Sequence, residues 1–307
     1  MRLRGLTGSD VCAGHYCPTM PYDVVDSHLQ VWDPEHVHYP WMDADHLPVT
    51  RRLGDVGHDL HEHRVDGVVL VQSADNPADT EHLLFQALCS PRVVGVVGWV
   101  PLAHADDASA RLDAWRFEPV VGVAHHAAGS GGWLLRPDVS EGLTLLTERR
   151  LPLDLPRTTP RMLDEVARVA ERHPKLTIVL GHLASPPLAA RAAGDTATWD
   201  AWVAGVHRVA QAQHVVAKVA GLGRAAGPGW TAADVRPAVD VALEAFGAER
   251  LMLGSDWPAA LDGHATWSQT WQELCATLDG LDPAAQARLR GGTAVDVYGL
   301  PPVPVTP

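Results

Sequence analysis

Eight short apolar runs recur along the chain: Tyr22–Asp26, Gly67–Ser73, Val93–Val100, Val120–His126, Leu151–Leu155, Leu176–Gly181, Val215–Val219 and Arg250–Ser255. They are rich in Val, Leu and Ile and nearly continuous in apolar character, as strands buried on both faces are. Stretches of helical composition separate most of them. In one, Thr159 is expected to cap, Pro160 suits the first helical position, and Met162, Leu163, Val166, Val169 and Ala170 keep helical spacing until Pro174 ends it. Ala232 to Phe246 reads as another helix, with Gly247 as its stop, and Trp267–Leu278 and Pro283–Leu289 supply the closing helices. Strand and helix alternating at this rhythm predict a single (β/α)₈ TIM barrel over residues 20–300. In that fold the active site gathers at the carboxyl ends of the strands.

Those ends carry polar side chains of catalytic type. Residues two apart on a strand face the same way, so His28 and Gln30 both look toward the barrel mouth. A His-x-Gln pair is a weaker metal signal than His-x-His, because an amide is a poor zinc ligand. Gln72, His125, Asp154, His182, Lys218, Asp256 and Trp257 complete the expected lining. Asp256, placed straight after a buried strand and before Trp257-Pro258, points to chemistry more than to support. Lys218 interrupts an apolar run; it either holds an anionic substrate or pairs with a barrel carboxylate. His125 and His126 are adjacent, and His125 is the expected pocket residue. Asp154 either faces inward or caps the loop before Pro156. His28, His182 and Asp256 are three acceptable zinc ligands with a position left for water; without a metal, the imidazoles polarise a carbonyl directly. The loop of about forty residues that follows the first strand, holding His36, His38, Tyr39, Trp41 and His46, has the length of a functional or lid-like segment.

The 307 residues suffice for one large core, and a net charge of −13 argues against a nucleic-acid partner. Four scattered cysteines suit a reducing cytoplasm, and no run of about 18 apolar residues predicts a membrane span. Residues 1–19 read as a disordered extension, and Cys12, His15 and Cys17 within them lack a fourth zinc ligand; 301–307 form a Pro-rich tail. A small-molecule substrate is the expected partner, and barrels of this kind often form homodimers.

Several stretches resemble the amidohydrolase-related family, in its branch of L-fuconolactonase-like and pyrone-dicarboxylate-lactonase-like proteins. They are Val25-Asp26-Ser27-His28-Leu29-Gln30-Val31-Trp32-Asp33-Pro34, Tyr39-Pro40-Trp41-Met42, Val69-Leu70-Val71-Gln72-Ser73, Val96-Val97-Gly98-Trp99-Val100, Leu151-Pro152-Leu153-Asp154-Leu155, Leu180-Gly181-His182-Leu183-Ala184-Ser185-Pro186 and Arg250-Leu251-Met252-Leu253-Gly254-Ser255-Asp256-Trp257-Pro258. The resemblance covers residues 22–299 and implies a metal-dependent-hydrolase-like barrel that hydrolyses lactones. It implies Asp256 as the base that deprotonates water, and His28 and His182 as the groups that polarise the carbonyl, directly or through a divalent metal. The chain departs from the family pattern: Gln30 replaces a histidine, Ala124 an arginine, Gly181 an acid, Ser185 a lysine and Ala220 a serine. A less anionic ring suits such a pocket. Two other readings stand beside lactone hydrolysis: a non-oxidative decarboxylase of an aromatic acid, and a degenerate barrel that binds a ligand without turnover.

Overall fold

The computed structural model describes residues 22–42, 49–126, 131–262 and 266–301. The expected extension at 1–19, its Cys12, His15 and Cys17, His46 in the first long loop, and residues 302–307 of the tail lie outside the described residues. Eight parallel strands follow one another in sequence order: β1 Val25–Leu29, β2 Gly67–Val71, β3 Val93–Gly98, β4 Val120–Ala124, β5 Leu153–Leu155, β6 Ile178–Leu180, β7 Val215–Val219 and β8 Leu251–Leu253. A bridge between Leu29 and Trp257 brings the two edges of the sheet together, so the barrel is nearly closed. No helix among the described residues is long and apolar enough to cross a membrane.

Two apolar layers hold the barrel. The outward positions of the strands, such as Leu153, Leu155, Ala217, Val219, Leu251 and Leu253, pack with the surrounding helices in one large cluster. Inward positions, among them Val25, Val94, Ala124, Val179, Val216 and Met252, pack with Ala294, Tyr298 and Leu300 in a second. The last helix, Thr293–Tyr298, and Leu300 therefore plug the barrel against residues near the strands' amino ends. The opposite end is left for the polar loops.

The first strand differs from the sequence expectation of Tyr22–Asp26: it runs later, through Asp26, Ser27 and His28. Those polar residues break the apolar pattern, yet β8 and the residues just past it satisfy Asp26 and Ser27. Ser27 Oγ donates to the Leu253 carbonyl at 2.6 Å and Asp26 Oδ1 accepts from Ser255 N at 2.8 Å. The helix expected after Thr159 begins with a 3₁₀ turn, Pro160–Met162, and Thr159 makes no side-chain cap; the α-helix is Leu163–Arg172. The helix Ala232–Phe246 matches its expectation, opened by reciprocal bonds between Thr231 and Asp234 and closed at Gly247. The closing helices are shorter than expected, Trp267–Ala276 and Pro283–Ala287, and the second runs on into a π-helical turn, Arg288–Gly292.

Candidate active site

The seam between β1 and β8 sets the first half of the site. Asp256 N donates to the His28 carbonyl at 2.8 Å, and Gln30 N donates to the Trp257 carbonyl at 2.8 Å. Asp26 sits behind this seam, fully buried, and its Oδ1 accepts from both Ser255 N at 2.8 Å and His28 N at 3.2 Å. Its Oδ2 accepts from Trp267 Nε1 at 3.2 Å. Burial pushes this carboxyl up to about 6, against the pull of its hydrogen bonds. The strand spacing is tight enough that a Cβ on Gly254 would lie 2.6 Å from His28 Cβ.

The main chain then delivers three side chains to one place. His28 Nε2 lies 3.6 Å, and His182 Nε2 3.7 Å, from the same Asp256 oxygen, Oδ1, and the two rings are 4.9 Å apart. Gly221, just past β7, has φ +61°, and a Cβ there would sit 2.6 Å from His182 Nδ1 and 2.7 Å from Asp256 Oδ2. A residue with a side chain would fill the cradle. Burial holds His28 well below the ordinary imidazole range, reinforced by the charges of Lys218, His182 and His126. Burial lowers His182 as well, although the Asp256 carboxylate opposes it. Both rings are therefore neutral near pH 7, the form that binds metals. Neither nitrogen of His28 has a hydrogen-bond partner among the described residues.

Backbone strain concentrates at the same residues. His182, Leu183, Ala184 and Ser185 have φ of +51°, +50°, +58° and +54°, and Asp256 has φ +57°. Left-handed backbone costs a residue with a side chain about 1–2 kcal/mol. Surrounding bonds hold it: Trp202 Nε1 donates to the Leu183 carbonyl at 2.9 Å, and Ser185 Oγ to the Thr158 carbonyl at 2.8 Å. Such over-determined strain collects at functional sites.

The other half of the mouth is built from side chains on loops. Gln30 Nε2 donates to the Gln72 carbonyl at 3.4 Å. Gln72 Nε2 donates in turn to Asp75 Oδ1 at 2.9 Å. Asp75 meets both adjacent histidines, His125 Nδ1 at 3.4 Å and His126 Nδ1 at 3.2 Å. His125 also stacks on Trp133, with ring centroids 3.7 Å apart, and burial pushes it down to about 4. Burial would raise Asp75, but the hydrogen bond and charges of the two imidazoles outweigh it and lower it. The first long loop folds over this side. Tyr39 OH donates to Asp79 at 2.9 Å, and Trp41 Nε1 to the Ser73 carbonyl at 2.7 Å.

Three expected lining residues are engaged by other groups of the protein. Lys218 and Asp154 point inward, because their neighbours on β7 and β5 belong to the outer cluster. They meet across the barrel at 2.7 Å, both at most 2% exposed, and Tyr298 OH donates to the same Asp154 oxygen at 2.7 Å. Trp257 is 4% exposed and packs in the main apolar cluster. Lys218 thus takes the second of its two expected alternatives, pairing with a barrel carboxylate, and all three side chains are buried in this structure. Sequence reasoning passed over Asp75 and Arg157. Burial lowers Arg157, as does the charge of Arg224, while Asp75 and Asp256 act against them, so a guanidinium stands in the field of both halves of the mouth. Its signal was its place, two residues past β5. Among the described residues two groups have metal-ligand geometry: His28, His182 and Asp256, and the more exposed Asp33, Glu35 and His36.

Residues 25–300 match the model of the family described as amidohydrolase. The chain is 32% identical over 292 residues to an L-fucono-1,5-lactonase of Burkholderia multivorans, covering 90% of this chain and 96% of that one. A crystal structure of an amidohydrolase from Burkholderia multivorans with bound zinc superposes with a TM-score of 0.81 at 28% identity, over 91% of this chain and 99% of that chain. A putative 2-pyrone-4,6-dicarboxylic acid hydrolase from Pseudomonas putida shares the fold, with a TM-score of 0.72 at 22% identity, over 91% and 98% of the two chains.

Proposed function

The chain belongs to the amidohydrolase family, and from that premise we propose that it opens a small lactone ring by adding water. The observation that carries the reading is the convergence of His28 and His182 on one oxygen of Asp256, at 3.6 and 3.7 Å, in a strained frame at the strand ends. Hydrolysis of a cyclic ester needs two things at one carbon: a polarised carbonyl and a water that loses its proton as it attacks. Asp256 presents Oδ1 to the imidazoles and is the carboxylate that takes that proton. His28 and His182 face the carbonyl oxygen, where negative charge develops. Gln30, Gln72 and His125 line the far wall and bind ring hydroxyls.

The donor set fits a divalent cation. Two neutral imidazoles and a carboxylate are a common catalytic zinc set, and separations of 3.6 and 3.7 Å approach the edge of about 3.4 Å expected of a tetrahedron with 2.1 Å bonds. His28, His182 and Asp256 would hold the ion, as the zinc-containing relative suggests. When bound, zinc polarises the carbonyl and makes water more acidic. The same residues orient the water and ester in either case.

A lactonase is favoured over the two other readings. A decarboxylase has no use for a water-activating carboxylate, and the relative that is 32% identical is a lactonase. A barrel kept only for binding has no reason to hold five strained residues at its mouth. The test is acid release from a panel of neutral and acidic sugar lactones by the full chain and by Asp256→Asn. Turnover by the wild type and its collapse in the variant are expected. A wild type inert to the whole panel, or a variant that keeps pace with it, would overturn the reading. Elemental analysis of protein purified without added metal decides the ion: about one zinc per chain, lost in His182→Ala, is expected.

A further inference from the structure

Ring opening has a second half that Asp256, His28 and His182 leave unassigned. When the tetrahedral adduct collapses, the bond from the acyl carbon to the ring oxygen breaks and its electron pair goes to that oxygen. An aliphatic alkoxide is a poor leaving group, so a proton must reach it as the bond breaks. The far side of the mouth carries a group built for this.

We propose that His126, held by Asp75, is the acid that protonates the departing ring oxygen; the inference rests on the lactonase reading. Asp75 grips His126 twice, accepting the backbone N–H of His126 at 3.1 and 3.2 Å and facing its Nδ1 at 3.2 Å. With Nδ1 committed to the carboxylate, Nε2 is the nitrogen left to donate. The ring is only 13% exposed, so its orientation is set by the protein. Gln30, two residues from His28, reaches the Gln72 carbonyl, and Gln72 holds Asp75, so the pair is tied to the opposite wall of the same mouth. The charge of His126 is also felt at His28.

The neighbouring groups single out His126. His125 comes no nearer than 3.4 Å to the same carboxylate, is stacked on Trp133 and is pushed down to about 4, so its ring is neutral and a much weaker acid than an imidazolium. The two imidazoles hold Asp75 below the ordinary carboxylate range, so a carboxylate faces His126 Nδ1 at 3.2 Å. Asp79 lies in the field of His126, and Arg157 in that of Asp75. Over one cycle Asp256 gains a proton from water and His126 loses one to the ring oxygen. The product leaves as a hydroxy acid, Asp256 releases its proton to solvent, and His126 recovers one. Protons balance without a co-reactant.

The experiment compares leaving groups. The full-length wild type, His126→Gln, Asp75→Asn and Asp256→Asn are assayed on the aliphatic sugar lactone that the wild type turns over best and on dihydrocoumarin, whose phenolate leaves without help. His126→Gln is expected to lose kcat by about 100-fold or more on the aliphatic lactone and less than about 5-fold on the phenolic one. Asp75→Asn should show the same selectivity more weakly, and Asp256→Asn should lose both alike. His126→Ala should regain turnover of the aliphatic lactone with added imidazole, a readout that does not need the phenolic substrate. Equal losses on both substrates, no loss on the aliphatic one, or no rescue by imidazole would overturn the inference and leave the lactonase reading intact. A wild type inert to every lactone overturns both.

Discussion

The two halves of the barrel mouth are built by different means. On the β1 and β8 side the main chain places the chemistry. Asp256 and His28 are joined by a backbone bond of 2.8 Å, and Asp26 ties both strands from behind. On the β2 and β4 side, side chains do the holding: Gln30, which reaches the Gln72 carbonyl, Gln72, Asp75 and the two histidines form a relay in which most links lie between loop residues. A position held by ladder bonds cannot drift without opening the barrel. A position held by side chains can be exchanged one residue at a time. The seam should therefore govern turnover, and the relay should govern which ring is accepted and how it leaves.

The largest effect should come from the seam's reacting group. Asp256→Asn keeps the shape of the side chain but removes the base, and kcat should fall by about 10³-fold or more, with the circular dichroism spectrum unchanged. A loss under tenfold would move the base to the relay side and break the division.

The layer beneath both halves comes next. Lys218→Met strands the Asp154 carboxylate inside the barrel, and urea unfolding should show a loss of about 3–5 kcal/mol. The double variant Lys218→Met, Asp154→Leu should recover most of it, because no unpaired charge remains. If the single variant lost activity at unchanged stability, the lysine would belong to the substrate after all.

Asp26 tests whether the seam positions or merely supports. Asp26→Ala frees the backbones of His28 and Ser255, and kcat should fall by about 100-fold while KM changes little. Asp26→Asn keeps an acceptor oxygen and should recover part of the loss. A change confined to KM would give the seam a binding role.

The last effect concerns the relay in acid and touches stability alone. The unfolded chain protonates His125 near 6.5, whereas the folded protein holds it down at about 4. The folded value is depressed, so its stabilising contribution is complete above 6.5 and is lost as pH falls toward 4. The full shift corresponds to roughly 3 kcal/mol. His125→Asn should flatten the fall in stability between pH 7 and 4 relative to the wild type, as read by urea midpoints at each pH. Parallel curves would mean that the ring is free to charge in the folded protein.

Much of this was legible in the chain alone. Runs of Val, Leu and Ile without alternation predicted parallel buried strands, and their count and order match the barrel. His28, His182 and Asp256 were legible because each lies at the end of such a run, and the fold brings strand ends together. The relay was harder to read. Asp75 lies in a loop three residues beyond Gln72, and its histidine partners are about fifty residues away. No local pattern marks that contact. Lys218 was ambiguous for a related reason: burial of a charge demands a partner, but composition does not say whether it is Asp154 or a ligand.

The amino-acid order, then, determined the alternation of strands and helices, the polar punctuation of each strand end, and the chemical types gathered at the mouth, because hydrophobic periodicity and turn chemistry act between near neighbours. Only the folded barrel decided that Lys218 closes on Asp154 and Tyr298, that His182 to Ser185 adopt left-handed backbone, and that Asp75 joins two histidines. Those outcomes depend on distances between residues far apart in the chain, and closure of the sheet is the event that sets them.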